Sequence, residues 1–367
     1  MKMELSCNKV VMYRLILGLS VGALLLVLAG LPLNAQTVSR KHTSDKHQQY
    51  YDSLKNMNYD RTFPIFGTKV YKKGYDIPFP FGIMVNTFYG TQGIDISNIR
   101  VGIQGPNHSL GPANLDSILV FNKVEATALN INIRGDLWLF PFLNVYVMAN
   151  FLPYAKTHVE LSKPIQLTAE PVQDGWALGF GIMGAFGFGP VWLQADYNVN
   201  WADMELLENT VLTQIAGIRM GHVITGKKNP ESNISIWAGA MGIFLNNETN
   251  GSIKFSELFP DISEDEVNQA RLNYNNNGSL TPIQKQIMDE ITQRLENRIH
   301  GLAVDDAVIT YQMDKAPSSN WAGLIGAQYQ FNKRWQLRSE CNFIGEERLS
   351  ILLSINYRFL GFRKKSK

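Results

Sequence analysis

The side chains of this chain that are equipped for chemistry recur at every second position. Asn130, Asn132, Arg134 and Asp136 alternate with Leu129, Ile131, Ile133 and Leu137. The same rhythm sets Gln194, Asp196 and Asn198 among Leu193, Ala195, Tyr197 and Val199. It sets Gln336, Arg338, Glu340 and Asn342 among Trp335, Leu337, Cys341 and Phe343. Arg219 and Arg358 lie in comparable runs. A strand turns successive side chains to opposite faces, so each run sends its polar members one way and its apolar members the other. Guanidinium, carboxylate and amide groups gathered on one face support two kinds of chemistry. They line water and hold or pass small polar solutes, or they pair with one another and close the space they share.

Covalent chemistry has thinner support. His158 and His222 are the histidines placed near the alternating runs, and neither has a serine or carboxylate at a hydrolase-like spacing. A triad can be dispersed along a chain, so a hydrolase acting on lipid or glycan stays as an alternative. No His/Cys cluster has metal-site spacing, and no Gly-rich phosphate loop joins a strand to a helix, so no cofactor is expected. One segment has a calcium-loop layout, with Asn273, Asn275 and Asn277 at alternate positions, Gly278 next, and Gln284 at the twelfth. Every carboxylate of such a loop is missing, and neutral amides compensate Ca²⁺ poorly. A plain turn between two helices is the simpler reading.

The elements that must carry these groups can be counted. Alternating or near-alternating runs cover 79–91, 129–139, 143–153, 176–187, 191–201, 211–224, 233–246, 319–331, 335–343 and 349–359. These make ten strands, and a further hairpin within 94–124 would make twelve. Short connections (140–142, 189–190, 225–232, 332–334) alternate with long ones (92–125, 154–175, 247–318). If the short turns share one side, every long connection falls on the other. Aromatic residues, including Phe81, Trp138, Phe140, Trp201, Trp335, Tyr357 and Phe359, gather near strand ends, as interfacial girdles do.

The start of the chain supplies a compartment. Lys2, Lys9 and Arg14 precede an apolar run from Leu15 to Leu33 and then Asn34-Ala35-Gln36, the layout of a secretory leader cleaved after Ala35. The run is long enough to remain as an uncleaved anchor, which is the alternative. The whole chain has 34 basic and 32 acidic residues. Without the leader, which carries those three cations and Glu4, both counts become 31. A neutral mature chain has no field for nucleic acid. Cys341 is then the lone thiol and permits no internal disulfide. Past residue 35 no apolar run approaches the roughly 20 residues of a spanning helix, yet 45% of the chain is hydrophobic.

With this leader, these strands and the terminal run 349-LSILLSINYRF-359, the chain resembles bacterial outer-membrane β-barrel proteins of porin-like type. The resemblance spans roughly 79–362. It implies an all-β fold, a transmembrane antiparallel barrel of about ten to twelve strands, placed in the outer membrane of a Gram-negative envelope. It also implies outer-membrane lipid around the wall and recognition of the last strand by the barrel-assembly machinery. The residues Leu360 to Lys367 depart from the usual ending at a terminal aromatic. The implied function is passage or binding of small polar solutes, or an envelope-structural role. A secreted soluble β-sandwich is the third reading.

Outside the wall, 36–77 reads as a polar periplasmic arm, a plug at most and a linker more simply. The barrel would run over 78–362, with a basic tail at 363–367. The 247–318 connection should be an outer loop with two helices, about 263–272 and 282–300. Each opens on a capping box, Ser263 with Glu266 and Thr281 with Gln284. Ile283, Ile287, Ile291, Leu295 and Ile299 form one apolar stripe on the second helix.

Overall fold

Ten antiparallel strands close on themselves in the computed structural model, which describes residues 45–364 apart from 106–108, 165–166, 189–190, 208, 227–228, 246–247, 259–262, 277, 279 and 303–306. The leader assigned to residues 1–35, the first residues of the arm and the last three of the tail lie outside the described residues. The ring strands are β1 (Phe81–Gln104), β3 (Val120–Phe140), β4 (Leu143–Lys163), β6 (Val172–Phe188) and β7 (Val191–Met204), followed by β8 (Val211–Thr225), β9 (Asn233–Leu245), β12 (Trp321–Gln330), β13 (Trp335–Ile344) and β14 (Arg348–Phe359). Neighbours pair in the order β1, β14, β13, β12, β9, β8, β7, β6, β4, β3, and β3 returns to β1 through Phe81 opposite Leu137 up to Gly93 opposite Glu125. Closure removes every free edge from the ring. It also rules out the soluble sandwich, which would leave two open sheets.

The wall is inside out relative to a soluble protein. Met220 is 62% exposed while its neighbour Arg219 is 6% exposed, on opposite faces of β8. Ile83, Val85, Ile133, Val147, Leu178, Ile325, Leu353 and Ile355 are likewise exposed, whereas Asn132, Asp136, Asn144, Glu340, Asn356 and Arg358 are buried. No helix among the described residues is long and apolar enough to cross a membrane. The ring does what such a helix would do, since a closed barrel pairs its backbone groups between strands and needs no water in lipid.

Aromatic rings band the outer surface near both ends. At the end with the short turns, Phe81 stacks on Phe359, Phe140 on Phe142, and Trp335 lies against Tyr357 with centroids 4.8 Å apart. Near the other end, Phe180 meets Trp201 and Phe244 meets Trp321. Trp138 is not part of either band. It is buried, because its even position on β3 turns it into the lumen with Arg134 and Asp136.

Several strands outrun the ring. Above Gly93, β1 leaves β14 and β3 and pairs with β11 (Val308–Pro317) on one side and β2 (Ser109–Asn114) on the other, and β10 (Glu248–Lys254) extends this sheet beyond β11. The 94–124 region therefore builds a second sheet and adds no barrel hairpin, so the ring holds ten strands. The 247–318 segment is likewise not only helical, since it supplies β10 and β11. In the same way β4 runs to Lys163 and picks up β5 (Leu167–Ala169).

The described residues also form five helices: α1 (Asp45–Asn56), α2 (Gly67–Lys72), α3 (Phe255–Leu258), α4 (Glu264–Asn275) and α5 (Pro282–Ile299). Capping boxes open α4 at Ser263 and α5 at Thr281. Val267, Ala270 and Tyr274 of α4 and Ile287, Met288, Ile291 and Leu295 of α5 bury against Ile99, Val101, Ile103 and Ile309 of the second sheet. At the opposite end, α1 and α2 form a small core of Leu54, Tyr59, Val70, Tyr71 and Ile77. The arm at 45–77 is thus folded rather than a linker. It is tied to the ring by Lys333 Nζ, 2.9 Å from Asp76, and by Ile65 N–H donating to the Leu139 carbonyl. The tail turns back on it, where Lys364 N–H donates to the Asp60 carbonyl.

Candidate functional site: the polar lumen

Alternation along each ring strand decides which side chains enter the lumen, and small residues opposite decide how far they reach. A Cβ on Gly181 would lie 2.5 Å from the Tyr146 ring, and one on Gly217 would lie 2.6 Å from the Arg219 guanidinium. Glycine at 181 lets the Tyr146 ring lie flat across the neighbouring strand, and glycine at 217 lets the Arg219 guanidinium fold back along its own strand toward Asp196.

Two ionic clusters form in the space so made. Arg219 on β8 makes a two-pronged contact with Glu340 on β13, Nε to Oε2 at 2.8 Å and Nη2 to Oε1 at 2.9 Å, bridging over β9 and β12. It also donates to Asp196 on β7. Glu340 accepts from Arg338 at 2.7 Å and from Trp237 Nε1 at 2.9 Å, so it is saturated. Its burial at 2% exposure is tolerable only because of those donors. The second cluster centres on Asp136, which accepts from Arg358 at 2.8 Å and Asn144 at 2.7 Å.

An amide ladder lies on the side of these clusters away from the short turns. Asn86 donates to Asn132 at 2.6 Å, Asn132 to Asn150 at 2.8 Å, and Asn150 to Asn200 at 3.3 Å. Asn130 also donates to Asn150, at 3.2 Å. Asn342 meets Ser350, while Gln336 bridges Asn356 and Gln330.

Of the thirteen side chains singled out in the sequence, all face inward, but they do not make one site. Asp196, Arg219, Arg338 and Glu340 form the first cluster, with Gln194 and Asn198 donating to Asp196 at 3.3 and 3.4 Å. Asp136 and Arg358 anchor the second, and Asn130, Asn132, Gln336 and Asn342 belong to amide contacts. Arg134 stands apart. It donates to Asn144 at 3.1 Å, lies 3.6 Å from the Tyr146 ring centroid, and forms no ion pair among the described residues.

Between the clusters and the helical cap at 45–77 is a chamber of about 250 Å³, lined in part by Arg134, Trp138, Arg338 and Arg358 of the wall and by Tyr51 and Asp76 of the cap. Three of its lining residues each carry a buried donor atom with no hydrogen-bond partner: Arg134 Nε, Arg338 Nε and Trp138 Nε1. One lining acceptor, Asn356 Oδ1, is in the same condition. Unmet buried polar groups are rare and call for an explanation. The surplus here is of donors, carried largely on guanidinium groups.

The lumen also takes Trp138, Trp237 and Asn86, which the alternation had not singled out, and Asn144, which shares the polar face of 143–153 but is not among the candidates. Their parity was readable: Trp237 shares the rhythm of Asn233 and Ser235, and Asn144 that of Tyr146. The aromatic type of the tryptophans hid them.

The other candidates lie elsewhere. His158 and His222 both face out of the barrel. His158 bonds Glu160 and Glu170, and His222 stands opposite Val191 and Ile236. The calcium-loop reading fails on its own residues, because Asn273 and Asn275 are the last residues of α4 and point apart as the helix turns. Asn273 donates to the Pro164 carbonyl at 3.0 Å, and Gln284 is used by the Thr281 capping box and the Asn114 carbonyl. Asn277 lies outside the described residues.

The chain matches no protein-family model and no curated protein sequence. It is similar in fold to solved barrels at low identity. The beta domain of the Bordetella autotransporter BrkA superposes with a TM-score of 0.34 at 10% identity, over 76% of this chain and 100% of that one. For the outer-membrane protein OprG of Pseudomonas aeruginosa the values are 0.33, 9%, 77% and 100%. For the COG4313 outer-membrane channel of Pseudomonas putida F1 they are 0.28, 9%, 77% and 97%. At such scores the likeness carries no argument, and the architecture stands on the chain's own ring. An apolar outer face, a polar lumen, aromatic bands at both ends and a closed ten-stranded wall give this chain the architecture of the outer-membrane β-barrel proteins.

Proposed function

We propose that this chain is an envelope protein, exported by a leader cleaved after Ala35, whose barrel holds a small anionic solute in the lumen chamber and is not a freely open pore. The observation that carries the reading is that three residues lining one chamber, Arg134, Arg338 and Trp138, each hold an unpartnered buried donor and together bring two guanidinium groups to it. Oxyanions such as carboxylate or phosphate accept several such bonds at once, and arginine suits their planar geometry. The Asp196–Arg219–Glu340 bridge across the lumen supports the closed state. So does the number of strands, since a ring of about eight is filled by side chains and one of sixteen leaves a channel. The folded cap at 45–77 would face the periplasm if, as in other barrels, the short turns do. The terminal aromatics of β14, Tyr357 and Phe359, are what the assembly machinery would read.

Two measurements test this. In planar bilayers the wild-type protein should give no large steady conductance, while replacing Arg219 and Glu340 together by alanine should open measurable steps. Calorimetric titration with acetate, succinate and phosphate should give saturable binding that uncharged glycerol does not, and Arg134→Met should weaken it about tenfold or more, the value of a lost charged hydrogen bond. Large wild-type current, or binding indifferent to charge and to Arg134, would refute the reading.

A further inference from the structure

A second cavity, of about 310 Å³, lies above the ring, between the second sheet and the upper parts of β3 and β4. Its walls are the apolar faces of three layers. Ile96 and Val101 come from β1 and Ile309 from β11, Val124 from β3 and Val159 from β4, with Ile291 from α5 above. The register explains why these faces converge. Ala126 and Val124 continue the inward row of β3 past Asp136, Arg134, Asn132 and Asn130, and they stand opposite Thr157 and Val159. The lumen row thus changes from polar to apolar as β3 rises above the ring.

One charged residue is in this lining. Lys315 of β11 sits opposite Ile96, on the apolar face, with Nζ 5.9 Å from the Tyr311 ring centroid. It has no ion pair and no hydrogen bond among the described residues. The sheet's other face carries Asp95, Asp314 and Glu248, so carboxylates were placed within one strand of it but on the wrong side to reach it. Burial alone lowers the Lys315 ammonium from its ordinary value. An ammonium held against apolar walls with no counter-charge is costly, and an anion delivered by a ligand would relieve that cost. The remaining surface is suited to hydrocarbon, and the volume falls at the lower end of small-molecule sites.

We infer that this cavity is a binding site for a single-chain amphiphile, an acyl chain ending in an anionic carboxylate or phosphate, with the head on Lys315 and the chain against Ile96, Val159, Ile291 and Ile309. The site is separate from the lumen chamber, and the two select opposite things. The chamber takes a small hydrophilic anion, whereas the outer cavity takes an anion only as the end of a hydrocarbon chain.

The test uses the full chain in nanodiscs of zwitterionic lipid, with a fluorescent polyene fatty acid as probe. Binding saturates at one probe per chain. Palmitate and hexadecyl phosphate displace it at least tenfold better than hexadecanol, and K315M abolishes that preference while leaving hexadecanol unchanged. A second variant, I291W, fills the cavity and removes all three. Heat-modifiable migration on unboiled gels confirms that both variants are folded. Mass spectrometry of lipid extracted from the purified protein assigns the source: free fatty acid favours uptake of the acid itself, a lysophospholipid favours capture from the membrane, and either supports the site. Non-saturable binding, equal displacement by palmitate and hexadecanol, or intact binding in I291W would overturn it.

Discussion

The lumen and the outer layer are two cores built by the same strand in opposite senses. Below Gly93, β1 turns Asn86 inward to meet Asn132 and shows Ile83 and Val85 to the outside. Above it, β1 buries Ile99, Val101 and Ile103 under α4 and α5 and shows Asp95, Ser97 and Arg100 to the outside. Backbone alternation is common to both halves, so strand geometry does not choose which face is apolar. The medium does. A wall in hydrocarbon needs apolar groups outside and has room for charge inside, whereas a sheet in water follows ordinary burial. The change occurs where β1 parts from β14, at the Gly93 N–H donating to the Glu347 carbonyl and the Ser318 N–H donating to the Gly93 carbonyl.

The sharpest way to break the contrast is to disturb each core by its own failure mode. Glu340→Ala strips the lumen of the carboxylate shared by Arg219, Arg338 and Trp237. Removing one partner of a buried ionic network costs about 3–5 kcal/mol, and urea unfolding in micelles should register that loss over the whole ring. Leu295→Ala, at a fully buried position of α5, should cost about 2–5 kcal/mol by leaving a cavity. Its effect should stay in the outer layer. Hydrogen exchange would rise in α4, α5 and β11 while the ring amides keep their protection. If the ring loosened equally, the two cores would not be independent.

Charge on the outward faces should separate the halves again. Ile133→Arg puts a guanidinium on the lipid face and should cost about 2–4 kcal/mol near the midplane. Gln312→Arg, on the polar face of β11, should stay within about 0.5 kcal/mol. Equal costs in a micelle-to-urea titration would mean that the outward face of the ring is not in hydrocarbon. Thr281→Ala removes the side-chain half of the α5 capping box and should cost about 1 kcal/mol of outer-layer stability.

The two halves were unequally legible before the structure. The ring was readable because its period is strict. In 129–139 and 349–359 each outward residue is apolar, and any one-residue slip would bury charge in lipid. The lumen set followed from the same parity. What the lumen does with its charges did not follow, because Arg219 meets Glu340 over 121 positions of sequence and no local pattern encodes that pairing. The outer layer was harder still. Its strands carry the opposite polarity, and Asn98 breaks the alternation of 94–104 with a left-handed φ of 53° inside a bulge. The 155–163 run does alternate, with Thr157, Val159 and Leu161 against Lys156, His158 and Glu160, but Pro153 next to it resembles the end of a strand.

The smallest effect expected is also the one with the clearest direction. On the outward face of upper β4, His158 Nε2 lies 2.9 Å from Glu160 and Nδ1 lies 2.9 Å from Glu170. The Glu160 and Glu170 contacts raise the imidazolium above its ordinary range. Lys156, 2.7 Å from Glu170, and then His158 hold the Glu170 carboxyl below its usual range. A raised folded-state value for histidine means that its contribution is complete below the ordinary histidine range and fades as pH rises through the higher folded value. For Glu170 the sense is reversed, so its contribution fades only as pH falls through the lowered carboxylate value. The segment that carries Glu170 onto β4 should therefore be held best at mildly acidic pH and loosen toward alkaline pH, only in part, because Lys156 keeps its hold on Glu170. Hydrogen exchange of β5, corrected for intrinsic rate, should show protection falling from pH 5.5 to 8.5. In His158→Gln that slope should flatten while the ring stays unchanged. A slope that persists in the variant would assign the pH response to some other group and leave the outward face of β4 without a titrating role.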